Sequence, residues 1–237
     1  MIGTIINVAA IIVGSILGIL IGSRLSSQLR ETVISGLGLF TLAYGVMSFL
    51  ETENALVPLG GLLIGALFGE WWKLEERLTK IGEILNQLVM RRSQDKSSPA
   101  KFVDGFVSAS LVFVIGPMAI LGAIQDGIAG NFEMLTVKAI LDGFASIAFA
   151  SSFGIGVMFS SLSILIYQGV ISLGSSLFSQ FFTPTMITEM TAVGGLILIS
   201  VSLSSLLKIK SIRTASFLPG LFVTPIIVFV LERFFGR

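Results

Sequence analysis

Long apolar runs parted by short clusters of charge constrain this chain more than any other feature. A run of about 18 residues or more crosses the hydrocarbon of a bilayer as one helix. Backbone inside lipid must satisfy its own hydrogen bonds, which leaves helices and closed barrels. Barrel strands are shorter and alternate in polarity, and these runs are too continuous for that. Charge agrees: 12% of the residues are Asp, Glu, Lys or Arg, against about 25% in a soluble domain. The expected fold is an all-α polytopic membrane protein.

Eight spans are expected, over about 2–21, 33–50, 56–72, 102–124, 135–153, 156–178, 190–207 and 217–234. Between the third and fourth, Leu74, Leu78, Ile81, Leu85 and Leu88 recur at helical spacing among Lys, Glu and Arg. That pattern predicts an amphipathic cytoplasmic helix, followed by a polar basic linker over 90–101. The organisation expected is an N-terminal three-helix unit (1–72), the segment 73–101 and a five-helix unit (102–237), all in one membrane domain. Residues 51–54, 125–133 and 183–189 read as turns. No basic residue precedes the first run, so it reads as an uncleaved span rather than a signal peptide.

Lys and Arg in the loops set orientation. The basic loops at 24–30, 73–101 and 208–213 share one side of an eight-span chain, which is then the cytoplasm. Both termini lie outside, with Arg233 and Arg237 against the rule. Rows of Gly14, Gly18 and Gly22 and of Gly61, Gly65 and Gly69 predict faces for close helix packing. With the small size of the chain, they suggest a homodimer.

Two stretches are related. Val103–Gly122 and Leu141–Ser160 share Asp104/Asp142, Gly105/Gly143, Phe106/Phe144, Ser108/Ser146 and Gly116/Gly154. They fall in successive spans, so they run in opposite directions. A second similarity links Glu31–Gly36 with Glu189–Gly194, and Pro58 with Pro219. Inverted repeats are thus expected, a transporter plan.

The chain has no Cys and no His. This excludes disulfides, thiolate or imidazole metal sites, haem ligation by His and His-based triads. No cofactor or metal is expected, and any ion site must use oxygen ligands. A net charge of +1 argues against nucleic acid as a partner; the lipid bilayer is the expected one. No phosphate loop, HExxH or nucleophile elbow is present, so an enzyme is not expected.

Acids inside spans are costly and mark function by default. Lys138 stands one turn before Asp142 and can neutralise it. The pair reads as an interfacial salt bridge or as an ion site in a vestibule. Asp104 lies near a helix start and reads as a cap or an interfacial group. Gly116-Pro117 predicts a break inside the fourth span, freeing backbone carbonyls; Gly154 and Gly156 are its counterpart without proline. Gln168 and Asn7 are intramembrane amides, suited to an interhelical hydrogen bond or to a pathway. Glu189 caps the seventh span or gates an external vestibule.

The opening MIGTIINVAAIIVGSILG, the central DGF and GPMAILGAIQDG segments, KAILDGFASIAFASSFGIGVMFS, IYQG and EMTAVGG together resemble an uncharacterised bacterial membrane family. It is catalogued as domain of unknown function 554, and the resemblance covers nearly the whole chain. It implies an inner-membrane protein with a transport label and no established substrate. The residues themselves point to a small transporter or channel for an inorganic ion or small polar solute, its path lined by the two Asp-Gly-Phe helices. A membrane scaffold acting through 73–101 is the alternative.

Overall fold

Each crossing pairs an apolar outer face with a face of small and polar residues, and this decides how the helices assemble. A computed structural model describes residues 1–90 and 99–235; most of the linker expected over 90–101, and Arg237, lie outside these. The described residues form eleven α-helices and no strand. In order they are α1 (Ile2–Gly22), α2 (Ser27–Phe49), α3 (Leu56–Trp71), α4 (Leu74–Met90), α5 (Pro99–Val114) and α6 (Pro117–Ala129). Then come α7 (Glu133–Phe153), α8 (Gly156–Leu173), α9 (Ser175–Phe181), α10 (Pro184–Val201) and α11 (Gly220–Phe235). A π-helical turn, Ser202–Leu206, extends α10, and a 3-10 turn, Thr214–Phe217, precedes α11.

Six helical stretches among the described residues are long and apolar enough to cross a membrane; α5 with α6, bent by 65°, form a seventh of the same kind. α3 is apolar but only 16 residues long. Large apolar side chains such as Phe40, Leu67 and Phe144 point outward, where lipid would meet them. The buried side is rich in Gly, Ser and Thr as well as Phe and Ile. Lipid offers no hydrophobic drive between helices, so close approach of small residues has to hold them together.

The expected 1–72 unit does not pack on itself. α1 lies along α7, α2 along α10 and α3 along α11. A Cβ built on Gly14, Gly18 or Gly22 would meet the carbonyl oxygens of Gly143, Ile147 and Ser151 at 2.3, 2.4 and 2.4 Å. The rising numbers on both sides make α1 and α7 parallel. Along α3, Gly61, Gly65 and Gly69 meet Thr224, Gly220 and Ser216 in falling order, so α11 runs antiparallel. Both glycine rows are therefore packing faces used within the chain. The homodimer expectation loses that basis, because neither row is left for a second copy.

The ends of the crossings fall into two sets. At one end Gly3 N–H donates to Asp126 (3.1 Å), and Glu189 binds the 52–54 loop. At the other, Ser152 meets Arg30, Gly156 abuts Phe102, and Arg213 pairs with Glu70 and Glu76 on α3 and α4. The chain between Phe102 and Asp126 thus runs from one end to the other through the break.

Several expected boundaries change. Residues 125–129 are helical, not a turn: α6 continues until Gly130, whose left-handed φ of 65° stops it as glycine commonly does. The 183–189 turn is the start of α10. Thr183 caps it by accepting from Met186 N–H, with Pro184 in the first helical position, where a missing N–H costs nothing. The expected 156–178 helix breaks at Gly174, and α9 follows. The amphipathic helix is α4; Leu74, Leu78 and Leu85 are half-buried, while Ile81 and Leu88 are exposed.

Candidate functional site

α7 presents Lys138, Asp142 and Ser146 at four-residue intervals, hence on one face. That face is turned toward α1 and α8. Lys138 Nζ lies 2.9 and 2.7 Å from the two Asp142 carboxylate oxygens. Asn7 of α1 donates through Nδ2 to Asp142 Oδ2 at 3.0 Å and to Gln168 Oε1 of α8 at 3.4 Å. All four side chains are buried: Asn7 and Gln168 are wholly inaccessible, and Lys138 and Asp142 are 6% and 7% exposed. Asp142 lies nine residues into a 21-residue helix, roughly 14 Å at 1.5 Å per residue. That is the middle of the helix rather than its interfacial end.

The charges balance, since one carboxylate faces one ammonium. The hydrogen bonding does not balance. Asn7 Oδ1 and Gln168 Nε2 have no partner among the described residues, and neither do the buried hydroxyls of Thr4, Ser15, Ser146 and Ser172 on the same three helices. Buried polar groups in proteins are nearly always satisfied by protein, water or a ligand. One turn beyond Asn7 and Gln168, the fully buried Ile11 and Ile164 close the polar cluster with apolar side chains.

Gly116 sits between α5 and α6 at φ 130° and ψ 151°, a conformation only glycine adopts readily. Pro117 opens α6 and has no N–H to give to the turn before it, so the last carbonyls of α5 are released. The expected break is therefore present. Its surroundings are the Tyr44 hydroxyl, 3.9 Å from a Cβ built on Gly116, and Ile115 packed against Gly194 of α10.

The two Asp-Gly-Phe copies share backbone more than environment. Gly154, like Gly116, has positive φ (80°) and stands between two helices. It makes the turn between α7 and α8, however, not a break within a crossing. Gly156 opens α8 and touches the Phe102 carbonyl. Ser108 and Ser146 are both buried with unpartnered hydroxyls. Phe106 is 2% exposed and Phe144 71%. Asp104 is exposed and lines two cavities of about 520 and 420 Å³ near Arg30, Lys208 and Glu75. Asp142 lines neither. A single cavity shared by the two acids is not what these contacts describe, because Asp104 sits near one helix end and Asp142 mid-helix.

Glu189 neither caps α10 nor stands free. It is 1% exposed, inside the second turn of α10, and its carboxylate accepts from Thr52 Oγ1 (2.6 Å), Glu53 N–H (3.0 Å) and Asn54 N–H (3.4 Å). It pins the α2–α3 loop and lines a cavity of about 820 Å³ with Glu53, Asn54 and Glu232. Sequence reasoning missed Asp126. Its side chain is 1% exposed, accepts from Gly3 N–H and lies 3.1 Å from the Met1 amino group, anchoring the start of α1 to α6. Gly130, the left-handed stop of α6, is the sequence signal that would have placed it inside a helix. The described residues hold no group of three or more acids able to bind a metal ion.

Apolar helices around a buried charged and amide core define a polytopic α-helical membrane protein. The chain belongs to the family described as "Protein of unknown function (DUF554)", whose model matches residues 2–229. It is 30% identical to the uncharacterised membrane protein YdfK of Bacillus subtilis over 238 residues, covering 99% of this chain and 98% of that one. It is 32% identical to the uncharacterised protein YqgA of Escherichia coli over 221 residues, 93% of each chain. No solved structure matches the chain.

Proposed function

We propose that this protein is a small transporter or channel of the bacterial inner membrane, not an enzyme. It moves an inorganic ion or small polar solute through the core between α1, α7 and α8, beside the α5–α6 break. The observation that carries this reading is the Asn7–Asp142–Lys138–Gln168 cluster. Charges and unsatisfied amides in the middle of apolar helices are expensive, and membrane proteins keep them where solutes or protons pass. The discontinuous α5–α6 pair packs against α7 and α8, and a broken helix is a recurring transporter device that brings free carbonyls and a helix N-terminus to a path.

In this reading the chain crosses the membrane eight times, counting α3 and the α5–α6 pair. The end carrying Arg24, Arg30, Lys73, Lys80, Lys101, Lys208, Lys210 and Arg213 faces the cytoplasm, and both termini lie outside. Inverted repeats are supported by the antiparallel pairs α3–α11 and α2–α10, where Gly38 meets Leu207 and Gly45 meets Gly195, and by the matching glycines 116 and 154.

Reconstitution into liposomes tests this. Ion and solute gradients are imposed in turn, and flux is read by internal dyes. Asp142→Asn and Gln168→Ala should abolish a flux that the native chain supports. Native flux surviving both substitutions removes the pathway from this core. A scaffold reading is favoured by one observation only, the exposed Ile81, Ile84 and Leu88 along α4. Deleting 73–90 should then abolish a cellular phenotype although no flux is ever found.

A further inference from the structure

Lys138 and Asp142 are the only charged side chains of α7 beyond its first residue, Glu133, and α1 and α8 carry none. Among the side chains of α1, α7 and α8, the Lys138 ammonium is therefore the sole cation available to Asp142. It is also tethered. Its four-carbon stem starts one turn nearer the Glu133 end of α7, so it can swing out along the helix while its head stays polar.

The oxygens left behind have a telling spacing. The Asn7 amide nitrogen lies 3.0 Å from Asp142 Oδ2 and 3.4 Å from Gln168 Oε1. It points its NH₂ inward because both neighbours are acceptors. Its own Oδ1 is buried without a partner. Rotating that amide by half a turn exchanges the two atoms and brings three oxygens together: Asp142 Oδ2, Asn7 Oδ1 and Gln168 Oε1. Oxygens bound about 2.4 Å from one cation stand roughly 3.4 Å apart at octahedral angles. The two separations measured from the Asn7 amide, 3.0 and 3.4 Å, are close to those such a ligand set needs. Three acceptors facing one another lack a donor, so a cation seated among them would be the partner that Asn7 Oδ1 then needs.

We propose that this cluster binds a monovalent metal cation of sodium's size, taken up in exchange for the Lys138 ammonium. Monovalency follows from charge. Once Lys138 has moved away, one cation restores neutrality around Asp142, and a divalent ion would leave an excess inside the bundle. The role in transport rests on the reading given under Proposed function; the binding itself does not.

The experiment uses the purified full chain in detergent. Its melting is followed in NaCl and in N-methyl-D-glucamine chloride at equal ionic strength. Lys138→Gln removes the internal competitor. It should melt several degrees higher in sodium, with a midpoint at least tenfold lower in sodium than the native chain. The double variant Lys138→Gln/Asp142→Asn should show no sodium response. Equal melting of Lys138→Gln in the two salts, or a response that survives the double substitution, overturns the proposal. Lys138→Arg covers the case in which Lys138→Gln does not fold. Its guanidinium fork stays on the carboxylate, so the sodium response of the native chain should vanish; an undiminished response overturns exchange. Flux measured in parallel separates the two claims. A sodium response without flux supports the site and removes the transport reading. Flux of an anion or neutral solute, lost in Asp142→Asn and without any sodium response, overturns the cation site and leaves the transport reading standing.

Discussion

Gly14→Ala tests the packing that brings the polar core together. A Cβ at this position would stand 2.3 Å from the Gly143 carbonyl oxygen and 3.1 Å from both the Gly143 carbonyl carbon and Ser146 Cβ. The obstacle is backbone and cannot rotate away, so α1 and α7 must part by about 1 Å to reach an ordinary contact. Asn7 is two turns along the same helix. Its 3.0 Å bond to Asp142 crosses the same interface and would open toward roughly 4 Å, beyond hydrogen bonding. Overpacking costs about 1–3 kcal/mol, and a lost bond to a charged group about 1.5–3 kcal/mol. Their sum, roughly 2.5–6 kcal/mol, should be visible as denaturant unfolding of the purified protein in mixed micelles. Two controls share the chemistry but not the geometry. A Cβ on Gly143 meets Ala10 at an ordinary 3.4 Å, and one on Gly36 meets nothing within 4 Å. Gly143→Ala should be near neutral, and Gly36→Ala neutral or stabilising by up to about 1 kcal/mol through helix propensity. A Gly14→Ala protein as stable as the native one, or a Gly143→Ala protein equally damaged, would refute the reasoning.

Three further outcomes follow from other parts of the fold. Glu189→Ala leaves the Thr52 hydroxyl and the Glu53 and Asn54 N–H groups without their acceptor; hydrogen exchange over 52–54 should rise at least tenfold, while Glu189→Gln keeps part of the protection. Burial raises the Glu75 carboxyl above its usual range, with the Ala215 N–H opposing the shift. A carboxyl raised on folding stabilises the protein below its unfolded value, about 4.3, and this is lost as pH rises through the folded value. Melting temperature should therefore fall over that window in the native chain, and less steeply in Glu75→Gln. Arg213→Ala breaks half-exposed pairs to Glu70 and Glu76 at 2.9 and 3.2 Å. It should cost under about 1 kcal/mol, and less in high salt, as read by unfolding at two ionic strengths.

The repeat shows how far likeness in sequence carries. Gly116 and Gly154 match in backbone because both need a φ that side chains disfavour. Asp104 and Asp142 part company because environment comes from neighbours, and neighbours are not local. Lys138 and Asp142 could be paired from spacing alone, since four residues make one helical turn. That Asn7 and Gln168 complete the same cluster could not, because they lie 161 residues apart on different helices.

Local sequence is enough for the all-α polytopic membrane character, the two glycine faces, the α5–α6 break and the internal ion pair. Each is fixed by something local: the thickness of a bilayer, the absence of a Cβ, the missing N–H of a proline, the pitch of a helix. Tertiary structure alone decided which faces meet. It set α1 parallel to α7, consumed both glycine rows inside one chain, turned Glu189 onto a loop and Asp126 onto the start of α1, and left Asp104 outside the core. Packing between distant helices depends on steric fit of whole faces, which no stretch of residues specifies alone.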